Sequence, residues 1–422
     1  MPWRPNPLHT HVERRLGDAF QRQRLPTCTG PLREDVGGCV PPLAAAILDD
    51  EMSETSLPVN PTGRYSVVPL PRFWYVACLS RELRRRPIAR TMLGVPLALF
   101  RGADGRPAAV LDRCAHRNLP LSLGECRDGL LQCRYHGWRF DADGVCRLVP
   151  GLTNDPGTAS TDEAHTSGTE FDSVARRVPS FPAVERDGLV WVVPSLESPL
   201  QGEPLAMPEV GTAGYASVWR RRTLSATVHA ALENALDVPH TAFLHRGLFR
   251  GRRTPVPVDV TVRHGPGMVE AIYEGEPVPS GIGARVLAPE GGVVEHVDRF
   301  ILPSISQVEY RLGDSHLLIT SAFTPVGDFE TMLHAVVTFR LRLPAAAVRA
   351  VIVPIAERIQ RQDAWVLRHQ NENIRRFGGE HFANTRIDVL GSHILRLMRR
   401  AARGEIDVEP PSGPEERVTM FT

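Results

Sequence analysis

Cys114-Ala115-His116 opens the most informative stretch of the chain, and Cys133-Arg134-Tyr135-His136 closes it after a gap of sixteen residues. Each half pairs one soft thiolate with one imidazole, first as C-x-H and then as C-x-x-H. This pattern allows one iron of a [2Fe–2S] cluster to take both sulfurs and the other iron to take both imidazoles. A zinc site is the alternative, although zinc modules usually pair C-x2-4-C with H-x3-5-H. We therefore predict an iron–sulfur cluster held by Cys114, His116, Cys133 and His136.

The composition is that of an ordinary globular protein. The chain has 422 residues, of which 42% are hydrophobic and 23% charged, so it is long enough for two domains. A net charge of +1 argues against nucleic acid or an anionic membrane as the main partner. All 49 basic residues are arginine, which favours a GC-rich bacterial genome as the source.

Neither a membrane span nor a secretion signal is visible in the sequence. The chain has no apolar run of about 18 residues, and its first twenty residues lack the apolar core of a signal peptide. Once Cys114 and Cys133 are assigned to iron, an odd number of cysteines remains, without the spacing of a disulfide framework: Cys28, Cys39, Cys78, Cys126 and Cys146. These features predict a protein of the reducing cytoplasm.

The sequence before and around the cluster motif predicts an N-terminal extension followed by a small β domain. Residues 1–65 are rich in Pro, Arg and Gly, with possible short helices at Val12–Gln23 and Leu43–Asp50. Turns are expected at Asp104-Gly105 and Asp143-Gly144, and an exposed polar loop at Asn154–Ser173. Strands are expected at Phe73–Cys78, Leu97–Phe100, Ala108–Leu111 and Gly188–Val193.

The remaining sequence predicts a larger α+β domain. A Pro-containing linker at Ser195–Glu209 precedes a helix at Thr227–His245, and a long helix at Ala345–Phe377 comes last. Strands between the two helices suit an antiparallel sheet wrapped on the long helix. These strands are expected at Val258–Val262, Val293–Phe300, Val308–Leu312, Leu317–Phe323 and Met332–Leu343. We expect an extension at 1–65, domains at 70–196 and 205–403, and a tail at 404–422.

A second constellation of polar side chains lies in the first of these helices. Asn234, Asp237, His240 and His245 share an arc of roughly 140° on an ideal helix, which is wide for one metal. Pro239 should loosen the helix and allow the two histidines to converge. Histidine pairs on helices are more often solvated or hydrogen-bonded, so this stretch alone is a weak signal.

The long helix supplies a carboxylate that strengthens the signal. An apolar pattern with steps of three, four and seven predicts a buried stripe at Ile352, Ile355, Ile359, Val366, Gln370, Ile374 and Phe377. Asp363 falls inside this stripe, and a buried carboxylate needs a cation or several donors. A salt bridge to Arg358 or Arg368 is one solution. The other is a 2-His-1-carboxylate iron triad of His240, His245 and Asp363.

These motifs, in this order, resemble those of the Rieske non-haem iron oxygenases over roughly residues 72–400. The resemblance covers the flanks of the cluster motif and the pattern Asp237-x2-His240-x4-His245, and it matches the string Gln362-Asp363 to the third ligand. It implies a small antiparallel β Rieske domain followed by a helix-grip (START-like) catalytic domain. The nearest groups in overall appearance are the pheophorbide a oxygenase-like and vanillate demethylase-like monooxygenases.

The resemblance also implies residue roles and partners. Asp237 would orient His240 and connect it to His136 of a neighbouring copy, which requires a homo-oligomer, most simply a trimer. Asn234 would be a spectator or a weak, distant ligand. Arg117, Arg134 and Trp138 would surround the cluster sulfurs. Because no G-x-G-x-x-G follows a strand, electrons would come from a separate NAD(P)H-dependent reductase, with or without a ferredoxin.

The implied activity is O2-dependent oxidation of an apolar or aromatic small molecule by hydroxylation, demethylation or oxidative cyclisation, with mononuclear Fe(II). Phe243, Phe249, Phe323 and Trp365 are candidate pocket residues, although each is more often plain core. The competing interpretation is a Rieske electron-transfer or redox-sensing protein with a non-functional mononuclear site. The two hundred further residues that carry the second constellation argue against it.

Overall fold

The computed structural model describes residues 64–152, 176–197, 200–245, 256–276, 294–406 and 415–421. The helices expected at Val12–Gln23 and Leu43–Asp50, the loop at Asn154–Ser173 and the candidate pocket residue Phe249 lie outside these ranges. None of the described helices is long and apolar enough to cross a membrane.

Short antiparallel strands form the first half of the described chain. They build a three-stranded sheet in the order β1-β11-β10 and two four-stranded sheets in the orders β2-β3-β4-β9 and β5-β6-β7-β8. Their bounds are β1 Tyr75–Leu79, β2 Ile88–Met92, β3 Val95–Arg101, β4 Pro107–Leu111, β5 Glu125–Arg127, β6 Leu130–Gln132, β7 Arg139–Phe140, β8 Cys146–Leu148, β9 Ser180–Phe181, β10 Ala183–Arg186 and β11 Leu189–Val192. The loop between β4 and β5 carries Cys114, and the loop between β6 and β7 carries Cys133.

One antiparallel sheet of eight strands dominates the second half, in the order β12-β18-β17-β16-β15-β14-β13-β19. Its strands are β12 Ala216–Leu224, β13 Pro257–Gly265, β14 Met268–Glu274, β15 Glu295–Ile301, β16 Ile305–Leu312, β17 Ser315–Gly327, β18 Glu330–Arg340 and β19 Glu416–Phe421. The α+β prediction is confirmed. The sequence did not predict β12, β14 or β19, and β19 pairs with β13 although its residues were expected in a tail.

Four described helices accompany this sheet: α1 Val228–Leu236, α2 His240–Phe243, α3 Ala345–Arg376 and α4 Gly391–Ala402. Thr227 caps α1, its side chain accepting a hydrogen bond from the backbone N–H of Ala230. The single helix expected at Thr227–His245 is wrong, because the chain leaves helical geometry at Asp237, with φ −91° and ψ 114°.

The apolar stripe predicted along α3 is half-buried rather than buried. The buried residues of this helix are Val348, Leu367 and Asn371, while the predicted member Phe377 is 69% exposed. Val348 packs against Val218, Val337 and other residues near the β12 edge of the sheet. The prediction of a fully buried stripe is therefore wrong, because the helix lies along the edge of the sheet and contacts it over a narrow line.

The small β sheets pack directly on the large sheet. Val76, Leu79, Leu189 and Trp191 of strands β1 and β11 share a core cluster with residues of the second half, namely Met207, Ile305, Ala322 and Val336. This shared apolar core holds the β1-β11-β10 sheet against the large sheet.

Candidate iron sites

The two cluster loops have the same backbone hydrogen bonds. In each loop the cysteine N–H donates to the carbonyl five residues later, and the cysteine carbonyl accepts from the N–H four residues later. The distances are 2.9 Å for Cys114 to Leu119, 2.9 Å for Asn118 to Cys114, 2.8 Å for Cys133 to Trp138 and 3.1 Å for Gly137 to Cys133. Both donors at the fourth position have positive φ, 59° at Asn118 and 72° at Gly137. The two loops are therefore closed by the same local geometry, which brings the four predicted ligands together.

Each loop places its sulfur inside and its imidazole nearer the surface. Cys114 and Cys133 are both 2% exposed, whereas His136 is exposed. The rings of His116 and His136 lie 4.5 Å apart between centroids. The Nδ1 atom of His116 is buried without a hydrogen-bond partner among the described residues. A buried ring nitrogen that lacks a partner beside two thiols fits a metal ligand.

Burial raises the pKa of the Cys114 thiol to about 11, and the neighbouring Cys133 adds to this, although backbone N–H groups of His116 and Arg117 act in the opposite direction. A buried thiolate pair therefore needs a compensating cation, and a coordinated metal deprotonates a thiol outright. The same backbone N–H groups would tune the reduction potential of a bound cluster.

Of the three side chains expected around the sulfurs, one packs in the cluster loops and two are exposed. Trp138 stacks on His116 with ring centroids 4.7 Å apart and planes inclined by 1°. Arg117 and Arg134 are instead exposed to solvent. The prediction that all three surround the sulfurs is therefore wrong for the two arginines, whose guanidinium groups are better hydrated at the surface than desolvated in the loops.

The second constellation converges on a single point. His240 Nε2 lies 3.2 Å from His245 Nε2, and Asp363 Oδ1 lies 3.0 Å from His245 Nε2 and 3.8 Å from His240 Nε2. Metal–ligand bonds of about 2.1 Å that meet at right angles separate two donor atoms by about 3.0 Å. The donor set and its spacing fit a divalent metal with open positions, as in a facial triad.

Hydrogen bonds on the far side of each ring fix the tautomers. His240 Nδ1 lies 3.2 Å from Asp237 Oδ2, and His245 Nδ1 lies 3.0 Å from Gln362 Oε1. Because both partners are acceptors, each Nδ1 carries the proton and each Nε2 presents a lone pair. Two Nε2 lone pairs and a carboxylate oxygen then face one another. These three electron-rich atoms repel one another unless a cation lies between them.

A proton competes for the same position when no metal is bound. Burial, the largest effect, lowers the pKa of His245, but the hydrogen bond and negative charge of Asp363, with Gln362, raise it above its ordinary value overall. The site therefore attracts positive charge. Among the described residues, the candidate arginine partners do not pair with Asp363, and Arg368 instead lies 3.8 Å from Glu372.

The break between α1 and α2 explains how residues that share a wide arc can converge. Asp237 ends α1, and Pro239 precedes α2 with helical dihedral angles. Asp237 Oδ2 also accepts from the His240 backbone N–H at 3.2 Å, which fixes the start of the second helix. An ideal continuous helix would have kept the two histidines apart.

The other predicted residues are placed as follows. Asn234 is half-buried one turn before Asp237, and its role stays a prediction. Phe243 and Trp365 are 84% and 56% exposed, and Phe323 belongs to the main core, so the structure does not bring them together in a pocket. From the sequence, Gln362 was named only as the residue before Asp363. Its contact with His245 was not predicted, because the spacing of apolar residues does not indicate contacts between distant segments.

Comparison with known protein families covers both halves of the chain. The Rieske [2Fe-2S] domain family matches residues 73–182, and the family described as the vanillate O-demethylase oxygenase C-terminal domain matches residues 224–404. The first match contains all four predicted cluster ligands, and the second contains His240, His245 and Asp363.

Individual relatives agree with these families. The chain is 38% identical over 176 residues to the oxygenase component of dicamba O-demethylase from Stenotrophomonas maltophilia, covering 41% of this chain and 47% of the relative. It is 28% identical over 359 residues to the oxygenase component of chloroacetanilide N-alkylformylase from Rhizorhabdus wittichii, covering 80% of this chain and 95% of the relative. The chain spans about half the length, or less, of the other curated relatives that it matches at 31–35% identity.

Solved structures show the same fold. The crystal structure of dicamba monooxygenase bound to 3,6-dichlorosalicylic acid superposes with a TM-score of 0.65 at 25% identity, covering 81% of this chain and 100% of that one. With a Rieske domain followed by a vanillate O-demethylase-type oxygenase domain, the chain belongs to the Rieske oxygenases.

Proposed function

We propose that the chain is the oxygenase component of a Rieske oxygenase system. It would use O2, and electrons from a separate NAD(P)H-dependent reductase with or without a ferredoxin, to oxidise an apolar or aromatic small molecule. The observation that carries this proposal is the convergence of two lone-pair-bearing Nε2 atoms and Asp363 Oδ1 within 3.8 Å of one another. A monooxygenase-type reaction is favoured, since the relatives include an O-demethylase.

In this proposal each residue has a distinct role. A [2Fe–2S] cluster on the two loops would supply single electrons, and an Fe(II) on the triad would supply O2 activation. Asp237 holds the His240 ring by its Nδ1, and Gln362 holds the His245 ring in the same way. The half-burial of Asp363, whose side chain is 19% exposed, limits competing hydration of the carboxylate.

A neighbouring copy would complete the electron path. Asp237 is 29% exposed on its side chain, and His136 is exposed at the tip of its loop, so both are accessible to a second chain. We propose a homotrimer in which His136 of one copy approaches Asp237 of the next. We also propose domains at 70–196 and 205–403, and a cytoplasmic location, which fits the lack of a disulfide among the five described cysteines.

The test is metal analysis of protein purified without oxygen. The proposal predicts about three irons and two acid-labile sulfides per chain, with a Rieske EPR signal after dithionite. His240→Ala should lower the count to about two irons and keep the EPR signal. His369→Ala is the matched control, because His369 lies exposed on α3, where it contacts Trp365 rather than the triad.

The competing function gives a different result in the same assay. A chain with about two irons, two sulfides and no uptake of added Fe(II) would be an electron carrier with a non-functional second site. A chain with three irons whose His240→Ala variant still oxidises substrate would show that the triad is assigned to the wrong residues.

A further inference from the structure

The carboxylate of the triad is held differently from the two imidazoles. Each histidine ring is oriented by an acceptor at its far nitrogen, namely Asp237 and Gln362. Among the described residues, Asp363 forms no hydrogen bond or ion pair except with the two histidine rings. The position of the Asp363 carboxylate therefore depends on where the helix α3 places its backbone.

Apolar packing holds α3 only loosely on the N-terminal side of Asp363. The buried residues of this helix are Val348, Leu367 and Asn371, so none lies between Val348 and Leu367. In this interval a groove of about 550 Å³, lined in part by Pro354, separates α3 from β12. Pro354 also lacks the backbone N–H that would donate to the carbonyl four residues earlier. The contact at Val348 is therefore a weak restraint on the segment that carries the carboxylate.

An ion pair joins α3 to β12 on the Asp363 side of Pro354. Arg222 of β12 donates from Nη2 to Oε1 of Glu357 at 2.6 Å. Arg361, one turn later on α3, donates from Nε to the same oxygen at 3.1 Å. Burial raises the pKa of Glu357, but the hydrogen bonds and charges of Arg222 and Arg361 lower it overall. The carboxylate is therefore charged at neutral pH, and Arg222 is its partner from the sheet.

The two contacts between α3 and β12 have matching spacings on the helix and on the strand. From Val348 to Glu357 the helix rises about 13.5 Å, at about 1.5 Å per residue. From Val218 to Arg222 the strand rises about 13 Å, at about 3.3 Å per residue. Each end of the helical span contacts the corresponding end of the strand span, so the two elements run side by side here. The ion pair fixes the position of α3 along β12, and Asp363 follows about 9 Å further along the helix.

We infer that Arg222 is a positioning residue for the mononuclear iron site. By holding Glu357, it sets the position of α3 along β12 and so brings the Asp363 carboxylate to the two histidines. The inference rests on the proposed oxygenase function and deepens it. The side chains of Arg222 and Glu357 are 24% and 35% exposed, and ion pairs this accessible contribute little to overall stability. The effect of Arg222 is therefore expected in the geometry of the site rather than in folding.

The experiment is an anaerobic Fe(II) titration of protein that retains its cluster, with the melting temperature measured on the same samples. Arg222→Met keeps the length of the side chain and removes its charge. It should weaken Fe(II) binding by about 3–10-fold, which is less than the loss of a direct orienting partner. Its melting temperature should change little. Arg222→Lys, which keeps the charge and can donate one hydrogen bond, should restore part of the affinity.

A charge reversal and a matched control separate positioning from general loosening of the helix. The double variant Arg222→Glu/Glu357→Arg forms the pair in the opposite direction, so it should bind Fe(II) more tightly than Arg222→Glu alone. The control is Arg349→Met. Arg349 also joins α3 to β12, by a 3.3 Å hydrogen bond to the Ser217 carbonyl, but it lies before Pro354. Its replacement should leave the Fe(II) affinity unchanged.

Three results would overturn the inference: unchanged Fe(II) affinity in Arg222→Met, an equal loss in Arg222→Met and Arg349→Met, or no gain in the double variant over Arg222→Glu. The oxygenase function fails in a different way. An unsubstituted chain that does not take up the third iron contradicts that function itself. An unsubstituted chain that takes up the third iron, beside an Arg222→Met variant that binds it equally well, contradicts only the role of Arg222.

Discussion

Gln362 Oε1 and His245 Nδ1 lie 3.0 Å apart although 117 residues separate them in the chain. This hydrogen bond joins α3 to the segment after α2, and it also decides which nitrogen of His245 is available to a metal. An acceptor at Nδ1 makes that atom the proton carrier and leaves Nε2 to face Asp363.

Gln362→Leu should therefore weaken Fe(II) binding by about 10–100-fold, which is the usual cost of losing such an orienting partner. The measurement is an anaerobic Fe(II) titration of protein that retains its cluster. Gln370→Leu is the control, because Gln370 is half-buried on the same helix and does not contact His245 in the described structure. Equal Fe(II) affinity in the two variants would show that Gln362 is not needed to orient the ring.

Asp237→Asn should keep both metals and slow electron transfer between them. The amide oxygen can still accept from His240 Nδ1, whereas the negative charge that strengthens the 3.2 Å contact is lost. The measurement is a single-turnover reaction that follows reoxidation of the pre-reduced cluster. Normal kinetics with full iron content would remove Asp237 from the electron path.

Cys133→Ser should abolish the [2Fe–2S] cluster. A serine oxygen at this buried position is a poorer ligand for the cluster than a thiolate, and Cys133 is 2% exposed, so water cannot replace the sulfur easily. The absorption and EPR spectra report the loss. Cys126→Ser is the control, since Cys126 is a free, half-buried cysteine outside both loops, and it should leave the spectra intact. A cluster spectrum in Cys133→Ser would refute the predicted ligand set.

Gly124→Ala should destabilise the β5-β6-β7-β8 sheet, which carries the loop with Cys133, by about 1–3 kcal/mol through overpacking. A Cβ atom at Gly124 would lie 2.1 Å from the backbone carbonyl oxygen of Gln132, the residue before Cys133, and a backbone atom cannot move aside as a side chain can. Thermal unfolding followed by circular dichroism measures the effect. Gly327→Ala is the control, because a Cβ there meets nothing within 4 Å. An equal melting temperature in both variants would contradict this account.

Several elements show where sequence patterns succeed and where they mislead. The strand at Leu97–Phe100 was predicted from a short apolar run and the strand at Leu317–Phe323 from an alternating pattern, and both lie within observed strands. Strand β12 escaped prediction because Arg220, Arg221 and Arg222 follow one another and hide the alternation of its two faces. Only its pairing with β18 makes the segment a strand.

The long helix shows a different limit. Its apolar period and its length were read from the sequence, and the helix does run from Ala345 to Arg376. How deeply an apolar stripe is buried depends on the surface that packs against it. The spacing of apolar residues in the sequence carries no information about that surface. The exposed Phe377 and the half-buried Ile359 reflect a helix lying on the edge of the sheet.

Local sequence was enough to predict the four cluster ligands, because each loop is closed by hydrogen bonds that span only four or five residues around Cys114 and Cys133. It also determined the residue types of the triad and their order. The tertiary structure alone decided that His240 and His245 meet Asp363, because this depends on the break at Asp237 and on how α3 packs against the sheet. The spacing of residues within a motif reflects the geometry of a few neighbouring residues. Contacts between distant segments form only when the whole core folds.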